Sequence, residues 1–208
     1  MAALSESDIA RELVPFEVEL SAPVLSQLRC YLELLLRWNE RINLTGIRDA
    51  KTIVRRLFGE SLSIARAVEL RGCLVDVGSG AGFPGLALKL VAPELRVTLI
   101  EARQKKCAFL KEVARQCGFS GVAVVAERFE DWAAKARLSA SLITTRAVVM
   151  DSRRLGAMKK LLVPGGKIVL LTTQELSHRI QSEHNEWRWS SSDTSPMSKS
   201  VILVGRMQ

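Results

Sequence analysis

The chain has 208 residues, 48% of them hydrophobic and 25% charged, which is enough apolar material for one compact core with an appendage and too much for a disordered protein. Its 30 Lys and Arg against 22 Asp and Glu leave a formal charge of +8, which favours a polyanionic partner because clustered cations displace the counterions of phosphates. Cys30, Cys73, Cys107 and Cys117 have neither metal-type nor disulfide-framework spacing, and His178 and His184 are the only histidines; no metal site is suggested and a reduced, cytoplasmic chain is expected.

The first residues are acidic where a signal peptide needs basic ones, and no apolar run reaches membrane-spanning length, so neither secretion nor a membrane is expected. From Ser5 to about Leu70 the pattern reads as helical. Leu28, Leu32, Leu35 and Leu36 recur at three- and four-residue steps, Trp38 extends the stripe, and Pro23 stands where a first-turn proline is tolerated. Asn43 to Asp49 forms a polar connection, and Asp49 can cap a following helix with Ile53, Val54 and Leu57 on its apolar side and a turn or break at Gly59.

At Leu74 the period changes. A short apolar run ending at Val77 is followed by glycines and a helix from about Pro84 to Val91. Further strands read at Arg96 to Ile100, Val122 to Ala126, Leu142 to Thr144 and Lys167 to Leu171, with helices at Gln104 to Gln116 and Ser152 to Leu161. Continuous Val, Leu and Ile runs alternating with helices predict a parallel sheet covered on both faces. Trp187 to Ser190 and Val201 to Arg206 read as a terminal antiparallel pair joined by a Ser-rich connection.

The sharpest signal is Asp76-Val-Gly-Ser-Gly-Ala-Gly-Phe-Pro-Gly, between a strand and a helix. Gly78, Gly80 and Gly82 permit a tight turn and a close approach of ligand to main chain, at the place where open α/β sheets bind ligands. A dinucleotide fingerprint counted from Gly78 would need glycine where Phe83 stands, and counted from Gly80 it would begin two residues late. The G-x-G-x-G spacing after an acidic residue looks instead like the first motif of class I methyltransferases, whose ligand is a cationic nucleoside.

Glu101 closes the second strand, where a carboxylate can accept both hydroxyls of a ribose. After the third strand, Phe129 can lie beside an adenine while Glu130 accepts from an amino group or backbone amides supply the contacts. The fourth strand ends in Thr144-Thr-Arg-Ala-Val, lacking both the Pro-Pro aromatic motif of amino methyltransferases and the nucleophilic Cys of pyrimidine C5 enzymes. Arg146 there offers a planar donor fork, as a catalytic residue at the rim of an active site. What remains is an acceptor that needs no deprotonation, such as guanine N7, for which in-line placement matters more than a general base.

Trp38-Asn, Asn43-Leu-Thr-Gly-Ile-Arg-Asp, Glu60-Ser-Leu, the glycine motif, Lys105-Lys with Phe109-Leu, Arg128-Phe-Glu and Thr145-Arg-Ala-Val resemble the RsmG family, bacterial small-subunit rRNA 7-methylguanosine methyltransferases also known as glucose-inhibited division protein B. The resemblance implies a doubly wound, Rossmann-like seven-stranded class I methyltransferase sheet over residues 71–208 with an N-terminal helical extension over 1–70. It implies S-adenosylmethionine as cofactor, contacted by Gly78, Phe83, Phe129, Glu130 and Arg146, with Gly80, Glu101 and Ala102 added from the glycine turn and the second strand. It implies methylation of guanine N7 in small-subunit rRNA or the 30S subunit; the basic clusters and the charge of +8 make Arg48, Arg55, Arg56, Lys105 and Lys106 the expected RNA contacts, and a monomer is expected. Leu57 stands where the family usually has His, and Thr172-Thr173 where it has Lys-Gly. Two other readings are a methyltransferase of a small molecule or protein side chain, with the basic residues a solvated face, and a non-catalytic RNA-binding protein that retains the cofactor fold.

Overall fold

The computed structural model describes residues 4–137, 140–146 and 148–207, so Ala147 of the fourth-strand motif and the first three residues lie outside the described residues. The N-terminal segment is helical with breaks. Helix α1 (Glu6–Leu13) opens on a capping box in which Ser5 and Asp8 satisfy each other's backbone amides. A 3-10 turn, Val14–Phe16, ends with Glu17 in the left-handed region, so residues 17–21 interrupt the helical run that the sequence pattern suggested.

Helix α2 (Ala22–Ile42) buries Leu28, Tyr31, Leu32 and Leu35 along one face and carries Pro23 in its first turn. Asp49 caps α3 (Ala50–Ile53) by accepting from the Thr52 amide. No break occurs at Gly59. The chain instead runs through a π-helical turn, Val54–Gly59, into α4 (Glu60–Leu62) and α5 (Ile64–Ala67). Glycine is needed at 59 for proximity: a Cβ there would lie 2.5 Å from the ring of Phe16.

The remainder alternates strand and helix, with α8 and α10 beyond the helices that the sequence pattern marked: β1 (Cys73–Val77), α6 (Gly85–Val91), β2 (Arg96–Ile100), α7 (Gln104–Gln116), β3 (Val122–Val125), α8 (Phe129–Lys135), β4 (Ala140–Arg146), α9 (Ser152–Leu161), β5 (Leu162–Thr173), α10 (Gln174–Glu183), β6 (Trp187–Asp193) and β7 (Ser200–Met207). The seven-stranded sheet has the order β3-β2-β1-β4-β5-β7-β6. β7 runs antiparallel to both its neighbours, so the expected terminal pair is present. Strands β4 and β5 are longer than their apolar runs, and α10 was not legible because its surface is polar. Only Ser177 and Ile180 of α10 are buried, and Thr173 caps it by accepting from the Leu176 amide.

Successive residues of the strands feed opposite layers, as pleating requires. Leu74, Leu99, Leu142 and Val169 join one core with the N-terminal helices, α6 and α7. Val75, Ile100, Ile143 and Ile168 join the other with α8 and α9. The helices over residues 6–67 therefore share a core with the sheet. Gln27 adds a polar tie by donating to the carbonyl of Cys117 at the end of α7, 2.9 Å away.

Among the described residues no helix is long and apolar enough to cross a membrane. Gly82 stands where helix α2 meets the glycine turn: its φ is +92°, and a Cβ would lie 2.2 Å from the Tyr31 hydroxyl. Gly118 has a φ of +66°, and no atom of the described residues lies within 4 Å of such a Cβ. Gly118→Ala therefore carries backbone strain alone, about 1 kcal/mol, whereas Gly82→Ala adds overpacking and should lose about 3 kcal/mol in denaturant unfolding. Equal losses for the two variants would contradict the packing account.

Candidate active site

The strand order reverses between β1 and β4, and the carboxyl ends of strands at such a switch point are where open α/β sheets bind ligands. The turn after β1 is docked against β2: the amides of Gly78 and Ser79 both donate to the carbonyl of Ile100, at 2.9 and 3.0 Å. Gly78 and Gly80 have φ of +69° and +57°, a region that side chains disfavour. A Cβ at Gly80 would meet nothing nearer than 3.7 Å. The nearest atoms are the Gly78 carbonyl and the flexible end of Lys106, so a ligand can lie across the main chain at Gly80 once that side chain moves aside.

Two buried carboxylates border the turn. Glu101 accepts from the Gly80 amide at 3.0 Å with one oxygen and from the Arg103 amide at 2.8 Å with the other. Each oxygen retains a lone pair, so the carboxylate can still accept from a ligand hydroxyl. Asp76, fully buried on β1, accepts from the Thr144 hydroxyl of β4 at 2.7 Å, and among the described residues no well-formed hydrogen bond reaches its second oxygen. Burial pushes the Asp76 carboxyl up to about 6, against the lowering effect of the Thr144 hydrogen bond. An open turn flanked by two buried acids suits a small ligand that carries hydroxyls and positive charge.

The rings of the two aromatic residues expected at the ligand pack into the two core layers. Phe83 is only 5% exposed. It stacks on Tyr31 with centroids 5.4 Å apart and meets Phe58 edge-on at 4.8 Å. Phe129 is also 5% exposed and belongs to the core layer of Val75, Val77 and Ile100. Both were expected at the ligand, but both rings are core residues, and what they can offer is main chain at the starts of α6 and α8. Glu130 accepts from Arg154 Nε at 2.7 Å. Its own backbone N–H and that guanidinium hold its carboxyl below the usual range. Ala102 is exposed beyond the end of β2.

Arg146 is not a surface cation. Its Nη2 donates to Glu60 Oε2 at 2.6 Å, and Glu60 is 2% exposed. The other Glu60 oxygen accepts from Ser198 Oγ at 2.7 Å. Arg146 Nη1 is buried and has no partner among the described residues. Arg146 also lines a cavity of about 420 Å³ beside the ends of β4 and β5 and helix α10, whose walls include Arg56, Met150, Leu171, Leu176, Arg179 and Glu183. Neither Glu60 nor Ser198 had been assigned a role from the sequence. The available signal was Glu60 itself, a lone acid in the apolar stretch Leu57-Phe-Gly-Glu-Ser-Leu.

The five cations expected to meet RNA fall into different settings. Arg56 lines the cavity with Arg146. Arg55 is ion-paired with the buried Glu12. Arg48 and Lys105 are exposed. Lys106 Nζ reaches over the ligand turn, 3.9 Å from where a Cβ of Gly80 would stand. The two departures from the family pattern also separate, since Leu57 is buried while Thr172 and Thr173 line the cavity. Among the described residues no group of three or more His, Cys, Asp or Glu is placed to hold a metal ion.

The family model described as rRNA small subunit methyltransferase G matches residues 24–202. Two relatives described as ribosomal RNA small subunit methyltransferase G are similar over most of the chain. That of Halorhodospira halophila is 39% identical over 171 residues, 82% of this chain and 78% of that protein. That of an Exiguobacterium species is 35% identical over 190 residues, 88% of this chain and 78% of that protein. Among solved structures, a SAM dependent methyltransferase from Aquifex aeolicus has a TM-score of 0.60 at 13% identity and covers 76% of this chain and 93% of its own. A glycopeptide N-methyltransferase complexed with sinefungin has a TM-score of 0.61 at 10% identity and covers 73% of this chain and 86% of its own. At such identities the likeness is one of fold, that of class I methyltransferases. Taken with the glycine turn and the reversal of strand order beside it, the match over residues 24–202 means that the chain belongs to the rRNA small subunit methyltransferase G family.

Proposed function

We propose that this protein transfers a methyl group from S-adenosylmethionine to N7 of a guanine in small-subunit ribosomal RNA. The observation that carries the reading is Arg146: a guanidinium at the end of β4, held by a buried carboxylate, keeps a buried N–H without a partner and lines a cavity next to the ligand turn. When bound, the cofactor supplies an electrophilic methyl group on a sulfonium. The main chain at Gly78 and Gly80 would hold it, Glu101 would accept from its ribose hydroxyls, and the negative charge of Asp76 and Glu101 would favour its cationic end. Phe83, Ala102, Phe129 and Glu130 would contribute through backbone and through the shape of the cleft.

Guanine N7 has a free lone pair in the plane of the base, so no residue need remove a proton before transfer. The work of the protein is placement. Arg146 and Arg56 would anchor O6 or a phosphate, leaving N7 directed at the methyl group, since a guanidinium fork matches such acceptors. The apolar walls, Met150, Leu171 and Leu176 among them, would enclose the base. Arg48, Arg55, Lys105 and the exposed cations of α9 would meet the backbone of the RNA. The substrate would be rRNA or the 30S subunit, met in the cytoplasm by a single chain. The family names of the relatives support this substrate over a small molecule or a protein.

S-adenosylmethionine should raise the melting temperature of the protein and NAD should not. That stabilisation should shrink as the pH falls through about 6, because Asp76 is ionised above that value and takes a proton below it, losing its attraction for a cation. Equal stabilisation by NAD would overturn the cofactor reading. In assays of labelled methyl transfer to 30S subunits lacking the modification, Arg146→Ala at matched folded concentration should be slower by about a hundredfold. Arg146→Lys should recover little of that, because an ammonium lacks the planar fork. Wild-type rates in both variants would remove Arg146 from the site.

A further inference from the structure

An arginine at the end of a strand can place a substrate only if its own long side chain is held. Arg146 is held from outside the sheet, by Glu60 of α4, which lies in the N-terminal helical segment, and the carboxylate is held in turn from the β6–β7 connection by Ser198. The hydroxyl of Ser198 is itself located, since it accepts from the Ser200 amide at 3.0 Å while the Ser198 amide donates to the Ser195 carbonyl at 3.1 Å. The backbone at 60 is fixed by the π-helical turn before it, where Gly59 sits directly against the ring of Phe16.

We propose that Glu60 is the positioning residue for Arg146, with Ser198 as its support. The inference rests on the reading of Arg146 as an active-site group. A buried ion pair is weak evidence of stabilisation, because apolar replacements are often as stable. This pair is also incomplete as a stability device, since it satisfies Nη2 and leaves Nη1 buried without an acceptor. Binding one Nη to a fixed carboxylate sets the plane of the guanidinium, and the free donor then has a defined direction in which to meet an acceptor. A residue held in this way gives up little side-chain freedom when substrate arrives.

The test is steady-state methyl transfer to 30S subunits by Glu60→Gln, Ser198→Ala, Arg146→Ala and the double variant Glu60→Gln/Arg146→Ala, with S-adenosylmethionine affinity measured in parallel. Glu60→Gln keeps the size of the side chain and removes its charge. Its kcat should fall by about tenfold, with cofactor Kd and subunit KM within about twofold of wild type, and the double variant should be no slower than Arg146→Ala. Ser198→Ala lies in a surface connection and leaves the ion pair in place. It should cost about threefold in kcat on the wild-type background and nothing on the Arg146→Ala background, and this comparison decides the matter if Glu60→Gln does not fold. Wild-type kcat in Glu60→Gln, or in Ser198→Ala where Glu60→Gln does not fold, would overturn the proposal, as would losses that multiply in the double variant or a parallel loss of cofactor affinity. Those outcomes leave Arg146 in its role, whereas wild-type turnover by Arg146→Ala removes the reading on which the inference rests.

Discussion

The contact on which the rest of the structure depends is between helix α2 and the glycine turn. Tyr31, fully buried, donates its hydroxyl proton to the carbonyl of Ala81 at 2.5 Å and stacks its ring on Phe83, while Phe58 from the π-helical turn meets both rings edge-on. Three aromatic rings at these separations contribute about 0.5 to 1.5 kcal/mol per pair beyond their burial. They also fix geometry. A turn with three positive-φ glycines is intrinsically soft, and here one side of it is pinned by the N-terminal helices while Gly78 and Ser79 are pinned on the other by β2. The ligand surface is preorganised because it is built on these fixed elements rather than on the loop alone.

Charge divides the crevice. On the side of β1 and β2 the buried groups are acidic, Asp76 and Glu101; beside the ends of β4 and β5 the cavity carries Arg56, Arg146 and Arg179, with Glu183 paired to Arg179. In the proposed reading a positively charged cofactor and a negatively charged nucleic acid would each be drawn to a different half, and the reacting atoms would meet where the halves join, at the ends of β1 and β4. An arrangement of this kind accelerates a reaction by orientation and electrostatics without a proton-transfer residue. The N-terminal helices serve both halves, through Tyr31 at the turn and Glu60 at the arginine.

Much of the fold could be read from sequence because its signals are local. The apolar runs around Val75, Leu99, Ile143 and Val169 alternate with helical periods, and the glycine motif marks the first strand-to-helix turn without ambiguity. What the sequence hid was direction and partnership. Phe83 and Phe129 stand beside the ligand turn and at the start of the helix after β3, which suggested ligand contacts, yet their rings point into the two cores, since a residue next to a motif can face either way. Glu60 is separated from Arg146 by 86 residues and from Ser198 by 138, and nothing local to any of the three announces that they meet. Helix α10 was hidden because only Ser177 and Ile180 of it are buried, too few to impose a period. The basic residues illustrate the same limit: Arg55 and Lys106 look alike as sequence, but one is paired with a buried acid and the other leans over the glycine turn.

The central claim is that the acceptor is a ring nitrogen, placed rather than activated. N7-methylguanine is distinguished chemically from other methylated bases because borohydride reduction followed by aniline cleaves the RNA chain there. Small-subunit rRNA from cells lacking this protein, incubated as 30S subunits with the purified enzyme and S-adenosylmethionine, should acquire one new cleavage site that coincides with the incorporated label. Label that enters the rRNA without producing such a site, or that enters another RNA or a protein instead, would contradict the account.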